Sequence, residues 1–242
     1  MGLGLGSSLS SPAYSKTAYA VTRSVDLDGT NQHIIITNSV ADDIKNIGSV
    51  SIWFKADAAF QNDTLFNLHT DTSNDNKIAL LHISTSNEIR LNCRGGSTNT
   101  IINADHTINT SNWVHVVATW DRTANKMAIY INGDSIETGT NAITNFATTA
   151  NKIYLGKPGN ADNAFFDGHL SSLSLFDAVL SPGNVTTLYN SGKPGDVSAS
   201  GISSLVAWLP LDETSGNFID RTATGADGVP TNSPTQGVQD VP

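Results

Sequence analysis

The chain has one cysteine, Cys93, three glutamates, Glu88, Glu137 and Glu213, and no Lys/Arg cluster. No apolar run approaches the ~20 residues that a membrane-spanning helix needs. A lone cysteine cannot close an intrachain disulfide, so a secreted disulfide scaffold is excluded and Cys93 reads as a small apolar filler in a strand. Basic residues number 13 against 22 acidic ones, for a net charge of -9. That balance disfavours non-specific attraction to nucleic acid or to an anionic membrane. The acidity comes almost wholly from Asp, mostly beside Gly, Asn or Thr, where turn formation is the simplest use. No Gly-x-Ser-x-Gly elbow occurs, and His33, His69, His82, His106, His115 and His169 show no zinc-ligand spacing. The stretch Met1 to Pro12 lacks a basic n-region and a continuous apolar core, so no secretory signal is read there. Ser7 lies one position too far from Gly2 for the myristoylation pattern. Taken as the native start, Met1 predicts synthesis in the cytoplasm.

At 242 residues the chain can build one large sandwich or two small domains. Residues 1–20 form a Gly/Ser-rich arm; their Gly-Leu-Gly-Leu-Gly run has no preceding strand or following helix, so it is not a nucleotide loop. Beyond it, short apolar runs alternate with polar turns. Strands are expected around Val25 to Leu27, His33 to Thr37, Val50 to Ala56, Thr64 to Thr70, Lys77 to Ser84 and Glu88 to Arg94. Trp113 to Asp121 is too evenly apolar for a half-wet strand and belongs at a sheet centre. Lys126 to Ile131 ends at Asn132-Gly133, which suits a type I′ hairpin turn. Lys152 to Gly156, Phe165 to Phe176 and Val206 to Leu211 complete the strands. Ser181-Pro182, with Val185, Leu188 and Tyr189 at helical spacing before Gly192, predicts one short helix. This pattern predicts an all-β antiparallel jelly-roll sandwich over 21–228, with 229–242 as a C-terminal tail.

Five segments, in order and spacing, resemble a known family. They are Val25-Asp-Leu-Asp-Gly-Thr30, Ser49 to Lys55, Trp113 to Asp121, Tyr130-Ile-Asn-Gly133 and Phe166-Asp-Gly168, the last followed by a strand and the Ser181 helix. Together they resemble the laminin-G-like, concanavalin A-like lectin-glucanase jelly roll, of the type seen in phage and virus structural proteins. Leu205 to Gly216 resembles that family's opening strand, which here comes last. One permuted-looking domain, with 205–211 pairing back into the sheet, is the first reading; a partial second copy is the other. Where the family commonly carries acids after the Phe-Asp-Gly motif, this chain has Ser171 and Ser172.

The resemblance implies a calcium ion at a sheet edge, with Asp28, Asn31 and Asp167 as donors. Asp212, Asp220 and Asp227 form a second acidic set, and Asp71 to Asn76 an oxygen-rich loop that lacks an EF-hand's glycine and distal glutamate. His69 and His82 are candidates to face each other across a hairpin. His115 reads as a core histidine, and Trp53, Trp120 and Trp208 as core aromatics rather than a sugar platform. The sequons at Asn62, Asn109 and Asn184 read as accidents of an Asn- and Thr-rich chain. Glycosidase relatives need two placed carboxyl groups, and none of the three glutamates has the Glu/Asp company those enzymes show. The expectation is therefore a non-catalytic recognition or architectural module, placed in a virion as a capsid decoration or tail-fibre adhesin. Its expected partners are a glycan or host-surface receptor, other virion proteins and further copies of itself. A bacterial cell-surface or secreted carbohydrate-binding adhesin is the alternative, and a glycoside hydrolase comes after both.

Overall fold

The computed structural model describes residues 19–57, 63–69, 76–83, 86–106, 112–140, 146, 149–159 and 163–242. Residues 1–18, the sequons at Asn62 and Asn109, and most of the Asp71 to Asn76 loop lie outside the described residues.

Two sheets stack face to face. The first runs in the order β10 (Asp134–Gly139), β9 (Lys126–Ile131), β8 (Val114–Asp121), β3 (Ile47–Ala56), β12 (Asp167–Phe176), β1 (Ser24–Asp28) and β15 (Thr235–Val238), with β13 (Leu205–Leu209) also on β12. The second runs β14 (Gly228–Thr231), β2 (His33–Thr37), β11 (Lys152–Leu155), β4 (Asp63–His69), β5 (Asn76–Ile83), β6 (Glu88–Gly95) and β7 (Thr98–Asp105). The strand pairings described are antiparallel. Period-two alternation turns Val50, Ile52 and Phe54 of β3 and Val116, Ala118 and Trp120 of β8 inward. They meet Ile34, Ile36, Leu80, Leu91 and Ile153 of the facing sheet. Each such side chain taken fully out of water contributes about 1.5–3 kcal/mol. Cys93 is buried among them, and burial pushes its thiol up to about 12, which leaves an inert filler.

Glycine is required at two of the motif positions. Gly29 has φ +66° and lies so close to Asp167 that a Cβ would sit 2.7 Å from that residue's own. Gly168 has φ +137° and passes the backbone of β3, where a Cβ would lie 2.2 Å from the Lys55 carbonyl oxygen. The first approach lies where β1 meets β12, with Asp28 directly opposite Asp167, and the second where β12 meets β3.

Leu205–Leu209 pairs with the Leu173 to Phe176 half of β12, while β1 pairs with the Asp167 to Leu170 half. Between the two partners the register shifts, Ser172 takes φ 46° and its N–H donates to the Pro210 carbonyl at 2.8 Å. The serines that replace the family's acids therefore form a bulge at which β12 changes partner.

Three sequence expectations are corrected. The segment read as a tail supplies β14 and β15, edge strands of the two sheets. Pro230 is tolerated because an edge strand leaves one row of N–H positions unused. Asp240 anchors the last residues beyond β15, accepting from Lys55 Nζ and from Trp113 Nε1, while Ser24 Oγ donates to its carbonyl. Second, the described residues hold two α-helices: α1 (Val40–Ile44) joins the expected α2 (Pro182–Tyr189). Five residues are too few for a helical period to show, yet α1 buries Val40, Ala41 and Ile44, and its last carbonyl accepts from Trp120 Nε1 at 2.7 Å. Third, the expected 192–201 loop holds a 3-10 turn over Val197–Ala199, capped by Asp196.

Candidate functional site

A sandwich offers two outer faces, and in this chain part of one of them, over β8, β9, β12 and β13, is covered. The Ser181 side chain caps α2 by accepting from the Asn184 N–H, and Pro182 opens the first turn. Val185 and Leu188 then pack on Val117, Tyr130, Phe176 and Trp208, which point outward from the first sheet. Tyr19 and Val197 complete this second core. Tyr189 stacks over Trp53 and His115 at centroid distances of 5.8 and 6.0 Å.

Under that cover lies a serine-histidine pair, with Ser51 Oγ 2.8 Å from His115 Nε2. It is not hydrolytic machinery. Both residues are buried, and among the described residues His115 Nδ1 has no hydrogen-bond partner and no carboxylate orients the ring. Burial alone lowers the imidazole to about 3. His115 is thus the core histidine expected, on a covered outer face.

The second sheet presents its outer residues in level rows. One row crosses Lys152, His69, Lys77, Arg94 and Asn99 on five consecutive strands. The next crosses Tyr154, Asn67, Ala79, Asn92 and Ile101, and a third carries Leu81, Arg90 and Asn103. The β4 end is buried: His69 stacks on Tyr154 at 5.1 Å, and Lys157 Nζ lies over the Tyr154 and Phe165 rings. Towards β7 the face opens. Lys77, Arg90, Asn92 and Arg94 are half-buried, and Asn99, Ile101 and Asn103 are exposed. Burial and the neighbouring Arg94 lower the Lys77 ammonium. Amides, guanidinium groups and one apolar side chain on a rigid sheet are suited to hydroxyl-rich ligands.

The acids lie at the end of the first sheet. Asp28 and Asp167 are brought together as cross-strand partners, with Asp57 beside them through its N–H to the Asp167 carbonyl. Asp28 Oδ1 accepts from the N–H groups of Thr30, Asn31 and Gln32, an Asx turn. The Asn31 carbonyl accepts from Asn232 Nδ2 and is bonded to His33 Nδ1. Burial and the carboxylates of Asp57, Asp26, Asp63 and Asp28 raise the Asp167 carboxyl. A cation is one means of relieving such crowding. Sequence reading missed Asp26, Asp57 and His169, which bring ligand atoms within 4.8 Å of one another. The Val25-Asp-Leu-Asp28 alternation places Asp26 and Asp28 on one face, but His169 carries no comparable signal.

The other candidates separate. His69 pairs with Lys77 and faces outward, whereas His82 pairs with Asp63 at the opposite end of the hairpin and packs on Phe54, so the two histidines do not meet. In the second acidic set, Asp212 accepts from the Tyr19 hydroxyl, Asp227 from the Asp220 N–H, and Asp220 from Trp208, Thr222, Thr224 and Ala226. These are turn and strand anchors. Trp120 is in the main core, Trp208 in the second, and Trp53 beneath Tyr189.

The sequence matches the concanavalin A-like lectin/glucanases superfamily, Laminin_G_3, over residues 28–186. The chain belongs to this superfamily. Pentraxin-related protein PTX3 of Bos taurus is 28% identical over 142 residues, 55% of this chain, and the match spans 36% of that protein's length. The native heptameric SAP-like pentraxin of Limulus polyphemus superposes with a TM-score of 0.62 at 18% identity, over 91% of this chain and 97% of its own. The CBM40 of Ruminococcus gnavus IT-sialidase, bound to alpha2,3 sialyllactose, superposes with a TM-score of 0.58 at 14% identity, over 71% and 100%. The superfamily member thus has a lectin-like, carbohydrate-binding-like fold. Among the described residues no helix is long and apolar enough to cross a membrane.

Proposed function

We propose that this protein is a non-catalytic carbohydrate-binding module whose ligand lies on the outer face of the second sheet, across β5, β6 and β7. The observation that carries this reading is the asymmetry of the sandwich: α2 and the second core cover the middle of one outer face, over β8, β9, β12 and β13, and the other presents Lys77, Arg90, Asn92, Arg94, Asn99 and Asn103. The CBM40 likeness, a sugar-bound module of the same fold, supports it. Burial of the Ser51–His115 pair beneath α2 supports a binding role over hydrolysis. The partner is a glycan on a cell or host surface, and display on a virion or on a bacterial surface serves that role equally.

Calcium in this proposal is a structural ion. Asp28, Asp167 and Asp57 would hold it, and it would supply positive charge to a crowded set of carboxylates.

A glycan-array measurement on the whole chain tests the function. Binding to a defined sugar class, weakened by Asn92→Ala and Asn103→Ala, is expected; no binding to any glycan would overturn it.

A further inference from the structure

Resting on that carbohydrate reading, we propose that the ligand is an acidic oligosaccharide, with carboxylate or sulfate groups seated between Lys77, Arg94 and Arg90. The chain as a whole carries a net charge of -9, with only 13 basic residues. Five of these, Lys77, Arg90, Arg94, Lys152 and Lys157, gather on or beside this one face. Lys77 and Arg94 stand directly opposite each other across β5 and β6. Like charges in that position destabilise a sheet, and Lys77 has no carboxylate partner among the described residues. An anion between the two side chains turns the repulsion into a pair of charge-assisted bonds.

The row has a direction. Lys152, His69, Lys77 and Arg94 succeed one another at the inter-strand spacing of about 4.8 Å. His69 is buried beneath Tyr154 and Gly159 and makes no ligand contact. Contact falls on Lys77 and Arg94, and on Arg90 four residues along β6, about 13 Å away at the strand rise. Arg90 is oriented by its Nε bond to Asn103 Oδ1 at 2.8 Å, and its far nitrogen lies 3.7 Å from Glu88 Oε2, a long pair that an acidic ligand group can outcompete. Two charged sites at that separation suit an extended chain bearing repeated acidic groups rather than one acidic sugar.

The test is affinity electrophoresis of the whole chain in native gels holding alginate, heparin or dextran. These supply uronate carboxylates, sulfates and neutral hydroxyls, and an oligothymidylate gel serves as a phosphate polymer. Retardation by alginate or heparin but not by dextran is expected, and it identifies which acidic group is read. Raising NaCl from about 50 to about 300 mM should weaken it several-fold. Lys77→Gln, at a side chain with no hydrogen bond to another described residue, should weaken it about tenfold, and Lys77→Glu should abolish it. Lys126→Gln, outside the face, should bind as the parent does. Equal retardation by oligothymidylate, or unchanged binding by both Lys77 variants, would overturn the proposal. Retardation by dextran alone would overturn it and leave the carbohydrate reading standing; no retardation by any polysaccharide would remove both.

Discussion

Ser51 and His115 are joined by a 2.8 Å hydrogen bond beneath the ring of Tyr189, on a sheet face sealed by α2. The burial that makes the pair useless for hydrolysis gives it a pH signature. His115 ionises near 6.5 when unfolded and near 3 when folded, so below 6.5 the unfolded state binds the extra proton. Stability falls as pH drops through that window, by about 1.4 kcal/mol per unit. Urea denaturation between pH 7 and pH 4 should show this slope in the parent and a shallower one in His115→Gln. Equal slopes would contradict the assignment.

Asp220 is the acceptor on which the last third of the chain turns. Its carboxylate takes the N–H groups of Trp208, Thr222 and Ala226 and the hydroxyls of Thr222 and Thr224. Burial opposes the charge, but these bonds outweigh it and hold the group below the usual Asp value. The stability it gives is therefore present above about pH 4 and lost as pH falls through the lowered value. Asp220→Ala leaves the buried Trp208 and Ala226 N–H groups unpaired, at about 1–3 kcal/mol each. Chemical denaturation at pH 7 should register a loss of about 2–6 kcal/mol; a loss under 1 kcal/mol would count against it.

The sandwich was legible because most of its strands carry alternation or an apolar run, and because Gly29, Asn132-Gly133 and Gly168 mark required backbone shapes. The edge strands were not. β14 and β15 hold Pro230, Gly237 and few apolar side chains, since an edge pairs on one side and needs no buried stripe. Helix α1 was hidden by its brevity. Of the metal residues named from the sequence, Asp28 and Asp167 meet because β1 and β12 are in register, while Asn31 lies in the turn that follows Asp28. The rows of the second sheet could not be read beforehand: which residues stand level depends on register across five strands, including the shift in β4 between Thr64 and Phe66.

The C-terminal strands lead to a truncation prediction. Ending the chain at Asp227 removes β14, β15 and the Asp240 anchor on Lys55 and Trp113, and exposes the edges of β1 and β2. Calorimetry should show a clear fall in Tm, and light scattering should show aggregation on heating. A truncated chain melting like the parent would return the segment to the status of a tail.

Calcium should stabilise the whole chain if Asp28, Asp167 and Asp57 hold it. At ten times its Kd the ion contributes about 1.4 kcal/mol, a rise of about 3–6 °C in Tm. Asp167→Asn should abolish the rise. The same rise in parent and variant would place the ion elsewhere, and no rise in the parent would rule out a stabilising calcium site.

The most direct test of the binding face is an NMR titration of the whole chain with a bound oligosaccharide, following backbone amides residue by residue. The account predicts shifts concentrated at Lys77, Arg90, Asn92, Arg94, Asn99 and Asn103, with α2 unmoved. Shifts centred on α2 or on the β8 to β10 strands, with β5 to β7 silent, would contradict it.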